Sequence, residues 1–132
     1  MFITRETDYA IRIIRDLKPG GRKTIDEICQ NEQIPRQFGY KILKKLAKCG
    51  MVRIFRGAGG GYTLAADPCT ITLYDIVTAI DGELLLCDCL GHDYNCPMKA
   101  RGKKVCGIHR ELARIQNILL GHLKEKALAE IA

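Results

Sequence analysis

A stretch without acidic residues runs from Gln33 to Ala66 and is the feature that most constrains the fold of this chain. The other 98 residues carry 14 Lys and Arg against 15 Asp and Glu, so this one segment holds the whole excess of a formal net charge of +6. A surface of one sign attracts a polyanion, and nucleic acid is the first candidate. The segment contains seven basic residues: Arg36, Lys41, Lys44, Lys45, Lys48, Arg53 and Arg56.

Helical periodicity predicts two helices ahead of this segment. Apolar residues recur at helical spacing from Ala10 to Leu17, after an N-cap at Thr4, and a Lys-Pro-Gly-Gly run at 18–21 ends the helix. Thr24 and Glu27 have the spacing of a capping box, in which each side chain accepts a hydrogen bond from an otherwise unpaired backbone N–H. We therefore expect a second helix to begin there and to end at 31–33.

A third helix is predicted from Pro35, at the first helical position, to about Cys49, with Gly50 as a left-handed C-cap. Two helices joined by a short turn, the second with a basic outer face, are typical of a helix-turn-helix. An ordinary solvated lysine face is the alternative interpretation. The residues of the outward stripe are Gln37, Tyr40, Lys41, Lys44 and Lys48.

A glycine-rich hairpin follows this helix. Residues 51–56 and 62–64 favour two strands, and the tip between them, residues 57–61, is Gly-Ala-Gly-Gly-Gly. Arg53 and Arg56 at the rim would reach phosphates or a narrow minor groove. A glycine-rich tip can also hold a nucleotide phosphate, but this one joins two strands and lacks the phosphate-binding motifs. We therefore interpret it as a β-wing.

A Gly- and Lys-rich stretch near the C-terminus contains Cys89, Cys96, Cys106 and His109. Thiolates and imidazole suit iron–sulfur clusters, zinc or copper, and three thiols in one loop can close around one centre. Cys87 is a spare or alternative ligand, whereas Cys69 is a weaker candidate. The remaining two cysteines, Cys29 and Cys49, are predicted to be core residues on the apolar sides of helices.

The last long helix is predicted from about Ile108 to Lys124. An apolar seam along it consists of Ile108, Leu112, Ile115 and Leu119. Such a helix at the end of a small domain needs a partner, and either it folds back on its own domain or it forms a homodimer. We favour the homodimer, because two-fold symmetry would match paired DNA half-sites.

The predicted fold class is mainly α with a small β-wing, a winged helix-turn-helix plus a long C-terminal dimerisation helix. The expected division is a DNA-binding domain at 1–80, a cysteine-containing cluster-binding loop at 81–107, and a dimerisation helix with a C-terminal tail at 108–132. The N-terminus has no signal-like apolar run and no segment reaches membrane-spanning length, so we expect a cytoplasmic protein with no membrane partner. In the reducing environment of the cytoplasm, an odd number of cysteines favours metal or redox chemistry over a disulfide framework. Scattered titratable residues without a nucleophile–base pair argue against an enzyme.

The chain resembles the winged-helix bacterial regulators that include IscR, NsrR, RirA and CymR. The resemblance runs nearly end to end and begins with the Thr-Asp-Tyr-Ala-Ile-Arg run at 7–12. Four more motifs carry it: the wing at 56–62, Asp88-Cys89, Cys96-Pro97 with Cys106, and the closing residues 128–131. The resemblance implies a homodimeric transcription regulator that binds a double-stranded DNA operator. It also implies a four-iron or two-iron cluster on the three cysteines, with a fourth, non-cysteine ligand that varies.

Position by position, the resemblance implies DNA contacts from Pro35, Gln37, Tyr40 and Lys41 and from Arg56 on the wing. From the residues alone, we add Lys44, Arg53, Gly57 and Gly59. The chain departs from the family in two places. Nine residues separate Cys96 from Cys106 where about five are usual, so the nuclearity of the cluster is left open. Tyr40 replaces an acidic residue of some relatives, so the operator sequence cannot be inherited.

Asp8 and His109 are the candidates for the fourth ligand. His109 follows Cys106 by one helical turn, whereas Asp8 would reach the cluster from the partner subunit. We favour Asp8, because a hard oxygen donor would leave one iron open to a small ligand such as nitric oxide. Iron supply and redox state are equally possible signals. A regulator that uses zinc or thiols without a cluster is the main alternative, and a small electron carrier is a weaker one.

Overall fold

A computed structural model of the chain describes residues 2–102 and 106–132. Seven helices and one two-stranded antiparallel sheet make up this part of the protein, which confirms the mainly helical class with a small wing. Residues 103–105, in the long spacer between Cys96 and Cys106, lie outside the described residues. The helices are α1 Arg5–Leu17, α2 Ile25–Glu32, α3 Arg36–Lys48, α4 Leu73–Asp81, α5 Pro97–Ala100, α6 Gly107–Glu125 and α7 Leu128–Ile131.

Local sequence signals set the ends of the first three helices. The Thr4 side chain caps α1 through the backbone N–H of Thr7, and the predicted capping box of Thr24 and Glu27 begins α2. Helix α3 begins at Arg36, one residue later than predicted, because Pro35 has extended backbone angles and is the N-cap. Gly50 takes the expected left-handed conformation after α3, with φ of 76°.

The helix-turn-helix of α2 and α3 is closely packed at Gly39. A Cβ atom at this position would lie 2.7 Å from Cys29 Sγ and 3.0 Å from Ile25 Cδ1. The two helices therefore approach at a contact that glycine permits and a larger residue would disturb. Cys29 is half-buried here, in agreement with its predicted core position, whereas Cys49 is exposed and its predicted core position is wrong. Cys49 follows the last residue of α3, where the chain turns outward at Gly50.

Strands β1 Val52–Phe55 and β2 Gly61–Leu64 form the wing, with Val52 opposite Leu64 and Phe55 opposite Gly61. A bridge between Lys23 and Tyr62 joins the wing to the segment before α2. The core lies between the first four helices, β1 and the C-terminal tail. Its fully buried side chains include Ile13, Ile14, Leu17, Ile28, Ile42, Leu43, Leu46, Ile76 and Leu128.

Helix α6 lies against α4 and against a 3-10 turn at Asp88–Leu90. The Gln116 side chain accepts a hydrogen bond of 2.8 Å from the backbone N–H of Leu86, and the Lys124 ammonium lies 4.2 Å from the centroid of the Tyr74 ring. Every residue of α6 is at least partly exposed. Within residues 2–102 and 106–132, no helix has the length and apolar character needed to cross a membrane.

Helix α7 packs back against the core and the segment before α4. The backbone N–H groups of Leu128 and Ala129 donate to the carbonyls of Ile71 and Pro68 at 2.8 and 2.9 Å, and the Leu128 side chain is only 1% exposed. The core thus includes a residue from the tail that follows α6. The division into 1–80, 81–107 and 108–132 stays a prediction.

Candidate nucleic-acid interface and cysteine cavity

The predicted recognition face is open to solvent. Helix α3 exposes Gln37, Tyr40, Lys41, Lys44 and Lys48, and Pro35 before it is also exposed. The opposite side of the same helix buries Ile42, Leu43 and Leu46 in the core. The α3 backbone is therefore fixed by packing, while its outer side chains are free to contact a ligand.

Acidic residues from other helices neutralise part of the basic segment. Lys41 and Lys45 both contact the carboxylate of Glu6 on α1, at 2.5 and 2.8 Å, and Arg36 contacts Asp26 on α2 at 2.8 Å. Hydrogen bonds from Lys41 and then Lys45 hold the pKa of the Glu6 carboxyl below its usual range. The sequence count of seven unopposed charges thus overstates the positive surface.

Four basic residues of the segment form no ion pair within the described chain: Lys44, Lys48, Arg53 and Arg56. All four are exposed, two on α3 and two on the wing. Exposed ion pairs contribute at most about 1 kcal/mol each, so a phosphate could displace Glu6 from Lys41 at little cost. Basic side chains on both α3 and the wing are therefore available to a polyanion.

The glycines of the wing tip have different roles. Gly57 and Gly59 are exposed, as expected for a tip that approaches a ligand closely. At Gly60, however, a Cβ atom would lie 2.8 Å from the Gly57 carbonyl oxygen, and at Gly61 it would lie 2.8 Å from the Lys23 carbonyl oxygen. These last two glycines are needed to close the turn and to join the wing to residue 23.

Arg22 lies outside the wing but contacts it, and the sequence interpretation missed this residue. Its guanidinium carbon lies 3.7 Å from the centroid of the Phe55 ring, and the guanidinium donates a hydrogen bond to the Gly59 carbonyl. A cation over an aromatic face stabilises both groups. Arg22 therefore fixes the tip relative to the helices. Its position beside the Gly20-Gly21 turn gives no periodic signal that would have identified it.

The three predicted cysteine ligands lie on three short segments. Cys89 is in the middle of the Asp88–Leu90 turn, Cys96 directly precedes α5, and Cys106 directly precedes α6. The Cys106 sulfur accepts a hydrogen bond of 3.4 Å from the backbone N–H of His109. Cys106 is therefore the N-cap residue of α6.

These segments surround one cavity of about 880 Å³. Burial raises the pKa of the Cys89 thiol, and the neighbouring thiols of Cys87, Cys106 and Cys96 raise it further. In the described part of the chain, no three Cys, His, Asp or Glu side chains are close enough together to enclose a single metal ion. The cavity is lined by Cys87, Cys89, Tyr94, Cys96, Met98, Lys99, Cys106, Gly107, Ile108, His109, Arg110 and Leu112.

The two candidates for a fourth ligand differ in position. His109 lines the cavity, whereas Asp8 is on α1 and forms an ion pair of 2.7 Å with Arg12, one turn further along the helix. Asp8 is not part of the cavity lining. In a single subunit the structure brings His109, and not Asp8, to the three cysteines.

Asp81 is a second residue that the sequence interpretation missed. Its carboxylate accepts hydrogen bonds from the hydroxyls of Thr4, at 2.9 Å, and Thr7, at 2.5 Å. Thr7 is completely buried, so this contact satisfies a polar group in the core. Asp81 ends α4 and precedes the part of the chain that carries Cys87, Cys89, Cys96 and Cys106, which we call the cysteine segment. It therefore connects the cysteine segment to the first turn of α1.

Comparisons with known proteins agree with this architecture. The chain is similar to the HTH-type transcriptional regulator IscR of Vibrio vulnificus, with 30% identity over 94 residues that cover 69% of this chain and 56% of the relative. A solved structure of a Listeria innocua protein assigned as a transcriptional regulator aligns with a TM-score of 0.77 and 26% identity, over 98% of this chain and 84% of that one. CymR, the global cysteine regulator of B. subtilis, aligns with a TM-score of 0.70 and 22% identity, over 98% and 95%.

The family comparison covers almost the whole chain. Residues 3–132 match the Rrf2 family, which is described as an iron-dependent transcriptional regulator. The matched region includes the helix-turn-helix, the wing, the cysteine segment and α6. The chain therefore belongs to the Rrf2 family of winged-helix transcriptional regulators.

Proposed function

We propose that this Rrf2-family regulator controls its binding to operator DNA through an iron–sulfur cluster held by Cys89, Cys96 and Cys106. The observation that carries the proposal is that all three thiols line one cavity, from the Asp88–Leu90 turn, from the residue before α5 and from the residue before α6. Thiolates are the usual protein ligands of such clusters, and several thiols around a cavity suit a cluster of several atoms better than a single ion. The iron-dependent description of the family supports the same assignment.

The proposed DNA interface consists of α3 and the wing. Its contacts come from the predicted set, which is Pro35, Gln37, Tyr40, Lys41, Lys44, Arg53, Arg56, Gly57 and Gly59. Exposure of the α3 stripe and of the two wing arginines supports this set. Lys44 and Arg53 supply charge without first breaking an ion pair, whereas Lys41 must leave Glu6.

We expect Arg56→Ala to weaken specific operator binding by about 1 to 3 kcal/mol, because its exposed guanidinium is available to a phosphate or the minor groove. Fluorescence anisotropy at several salt concentrations measures this loss. The logarithm of the association constant should fall with the logarithm of the salt concentration, with a slope of about −0.9 per phosphate contact. If Arg56 binds a phosphate, Arg56→Ala should make this slope shallower by about 0.9. Lys126→Ala is the control, because it removes an exposed charge outside the basic segment from Gln33 to Ala66. Unchanged binding by both Arg56→Ala and Lys41→Ala would contradict the assignment.

A series of side-chain contacts links the cysteine segment to the DNA-binding face. The first contact in the series is made by Asp81, which holds the first turn of α1 through Thr4 and Thr7. Glu6, in that same turn, holds Lys41 and Lys45 of α3. When a group binds in the cavity lined by Cys89, Cys96 and Cys106, Asp81 would transmit the change to α1 and hence to α3. A bound cluster supplies a metal centre that responds to iron supply, redox state or nitric oxide.

Substitution of single cysteines tests the cluster. We expect anaerobically purified protein to be coloured and to contain iron and acid-labile sulfide, and we expect Cys96→Ala to lose both, because a thiolate ligand is removed. Visible absorption and metal analysis measure the loss. Cys69→Ala is the matched control, since Cys69 is exposed and outside the cavity lining. A colourless wild-type protein containing zinc would contradict the proposal.

A regulator that senses through thiols alone is the second candidate. Four cysteines around one cavity are free thiols in this structure, and three of the four directly precede helical turns. Two of the four, Cys87 and Cys106, are exposed and the other two are half-buried, and neighbouring accessible thiols can be oxidised to disulfides. Under this candidate the metal-free protein would change its operator affinity on oxidation, and the change would be reversed by a dithiol reductant.

A further inference from the structure

Cys87 occupies the same kind of position as two of the proposed ligands. Its backbone is extended, with φ of −150° and ψ of 144°, and its carbonyl accepts the first hydrogen bond of the following 3-10 turn, from Leu90 at 3.0 Å. Cys96 and Cys106 are also extended, and their carbonyls accept from Lys99 and Arg110 at 3.0 and 3.1 Å. Each of these three cysteines is therefore the residue directly before a helical turn at the cavity.

Cys87 also lines the cavity together with the three proposed ligands. Its side chain is exposed, so it can move toward a bound group without disturbing the core. Cys89 is two residues away, on the same turn. The cavity lining thus contains four thiols from three segments, which is the full donor set of a cluster held only by cysteine.

We propose that Cys87 is the fourth protein ligand of the cluster, in place of Asp8 or His109. This inference rests on the proposed function, because it requires that a cluster binds in the cavity. Cys87 would hold the cluster as a thiolate, and its thiol proton would be released to solvent, as for the other cysteine ligands. The result is a site with four thiolates.

The competing ligands are weaker candidates on both geometry and chemistry. Asp8 is paired with Arg12 and lies outside the cavity lining, so it would have to break that ion pair and come from another subunit. His109 lines the cavity, but its imidazole is a harder donor than a thiolate. A thiolate in the same cavity is the preferred ligand of iron in a sulfide cluster.

Alkylation of thiols in the wild-type protein tests this inference without any substitution. Iodoacetamide labelling followed by mass spectrometry should show Cys87 protected in the cluster-bound protein and labelled after the cluster is removed with a chelator. Cys69 is exposed and outside the cavity, so it should be labelled equally in both forms. Equal labelling of Cys87 in the two forms would overturn the inference.

Three substitutions separate the possible ligands. After anaerobic reconstitution, Cys87→Ala should lose iron and sulfide, or hold them at least about 10- to 100-fold more weakly, which is the loss that follows removal of an outer-shell partner. Asp8→Ala and His109→Ala should retain the wild-type visible and resonance Raman spectra. A wild-type spectrum in Cys87→Ala, with a changed one in His109→Ala or Asp8→Ala, would overturn the assignment of Cys87 alone. Retention of the cluster by Cys96→Ala would instead contradict the proposed function.

Discussion

We expect Ile115→Glu to convert the protein from a homodimer to a monomer and to abolish high-affinity operator binding. Ile115 is 41% exposed in the single subunit, beside Ile108 at 74% and Ile118 at 49%. Exposed apolar side chains that share one helix face mark a surface that a partner covers. Because Ile115 is not part of the core, the substitution leaves the fold of the subunit intact.

The size of this effect follows from two-fold symmetry. Each dimer would lose the burial of two isoleucines, at about 1.5 to 3 kcal/mol each, and would bring two carboxylates to one interface. A loss of at least about 3 kcal/mol corresponds to a more than hundredfold rise in the dimer dissociation constant. Sedimentation velocity measures the shift, and DNA binding should fall because a monomer contacts one half-site only.

Asn117→Glu is the matched control for this prediction. It adds the same charge to α6, but Asn117 is exposed and lies about 200° around the helix from Ile115. We expect this variant to remain a dimer with normal operator binding. If Ile115→Glu also remained a dimer, the apolar face of α6 would have to be covered in another way, and the proposed dimer would be wrong.

The apolar seam of α6 was only partly predictable from its spacing. Leu112 and Leu119 are half-buried, on a stripe with Gln116, whose side chain contacts Leu86 in the subunit's own cysteine segment. Ile108 and Ile115 lie on the neighbouring, exposed stripe. The spacing of four, three and four residues along the predicted seam could not separate the two stripes, because the sequence of a helix does not reveal which of its apolar sides packs on its own domain.

The helix-turn-helix and wing were predictable because their signals are local. Thr24 and Glu27 satisfy unpaired backbone groups within one turn, and Gly50 ends α3 through its own backbone freedom. Cys49 shows where such reasoning fails. It follows an apolar helical pattern, but the helix ends one residue before it and the chain turns toward solvent.

Contacts between distant segments were not predictable from the sequence. Glu6 pairs with Lys41 and Lys45 across 35 and 39 residues, and Asp81 bonds to Thr7 across 74 residues. Neither acidic residue stands out by spacing or composition. The cysteine segment could be identified as a ligand-rich loop, but only the fold shows that Cys87 shares its cavity with Cys89, Cys96 and Cys106.

We expect Leu128→Ala to lower the free energy of unfolding by about 2 to 5 kcal/mol, the usual cost of removing a buried leucine side chain. Leu128 is 1% exposed and packs in the same core as the helix-turn-helix, although it follows α6 in sequence. A typical domain has only about 5 to 15 kcal/mol of stability, so the variant would be severely weakened. Urea unfolding of the cluster-free protein at fixed protein concentration measures the change.

Ile131→Ala is the control, because Ile131 is in the same short helix but is 45% exposed. Its loss should change the unfolding free energy by no more than about 0.5 kcal/mol. If both variants had equally small effects, the tail would not pack in the core. If the prediction holds, the end of α6 is anchored to the DNA-binding domain through Leu128, and the hydrogen bonds to Ile71 and Pro68 fix its direction. Movement of α6 in a dimer would then be transmitted to the DNA-binding domain at both ends of the helix, through the cysteine segment at one end and through this anchor at the other.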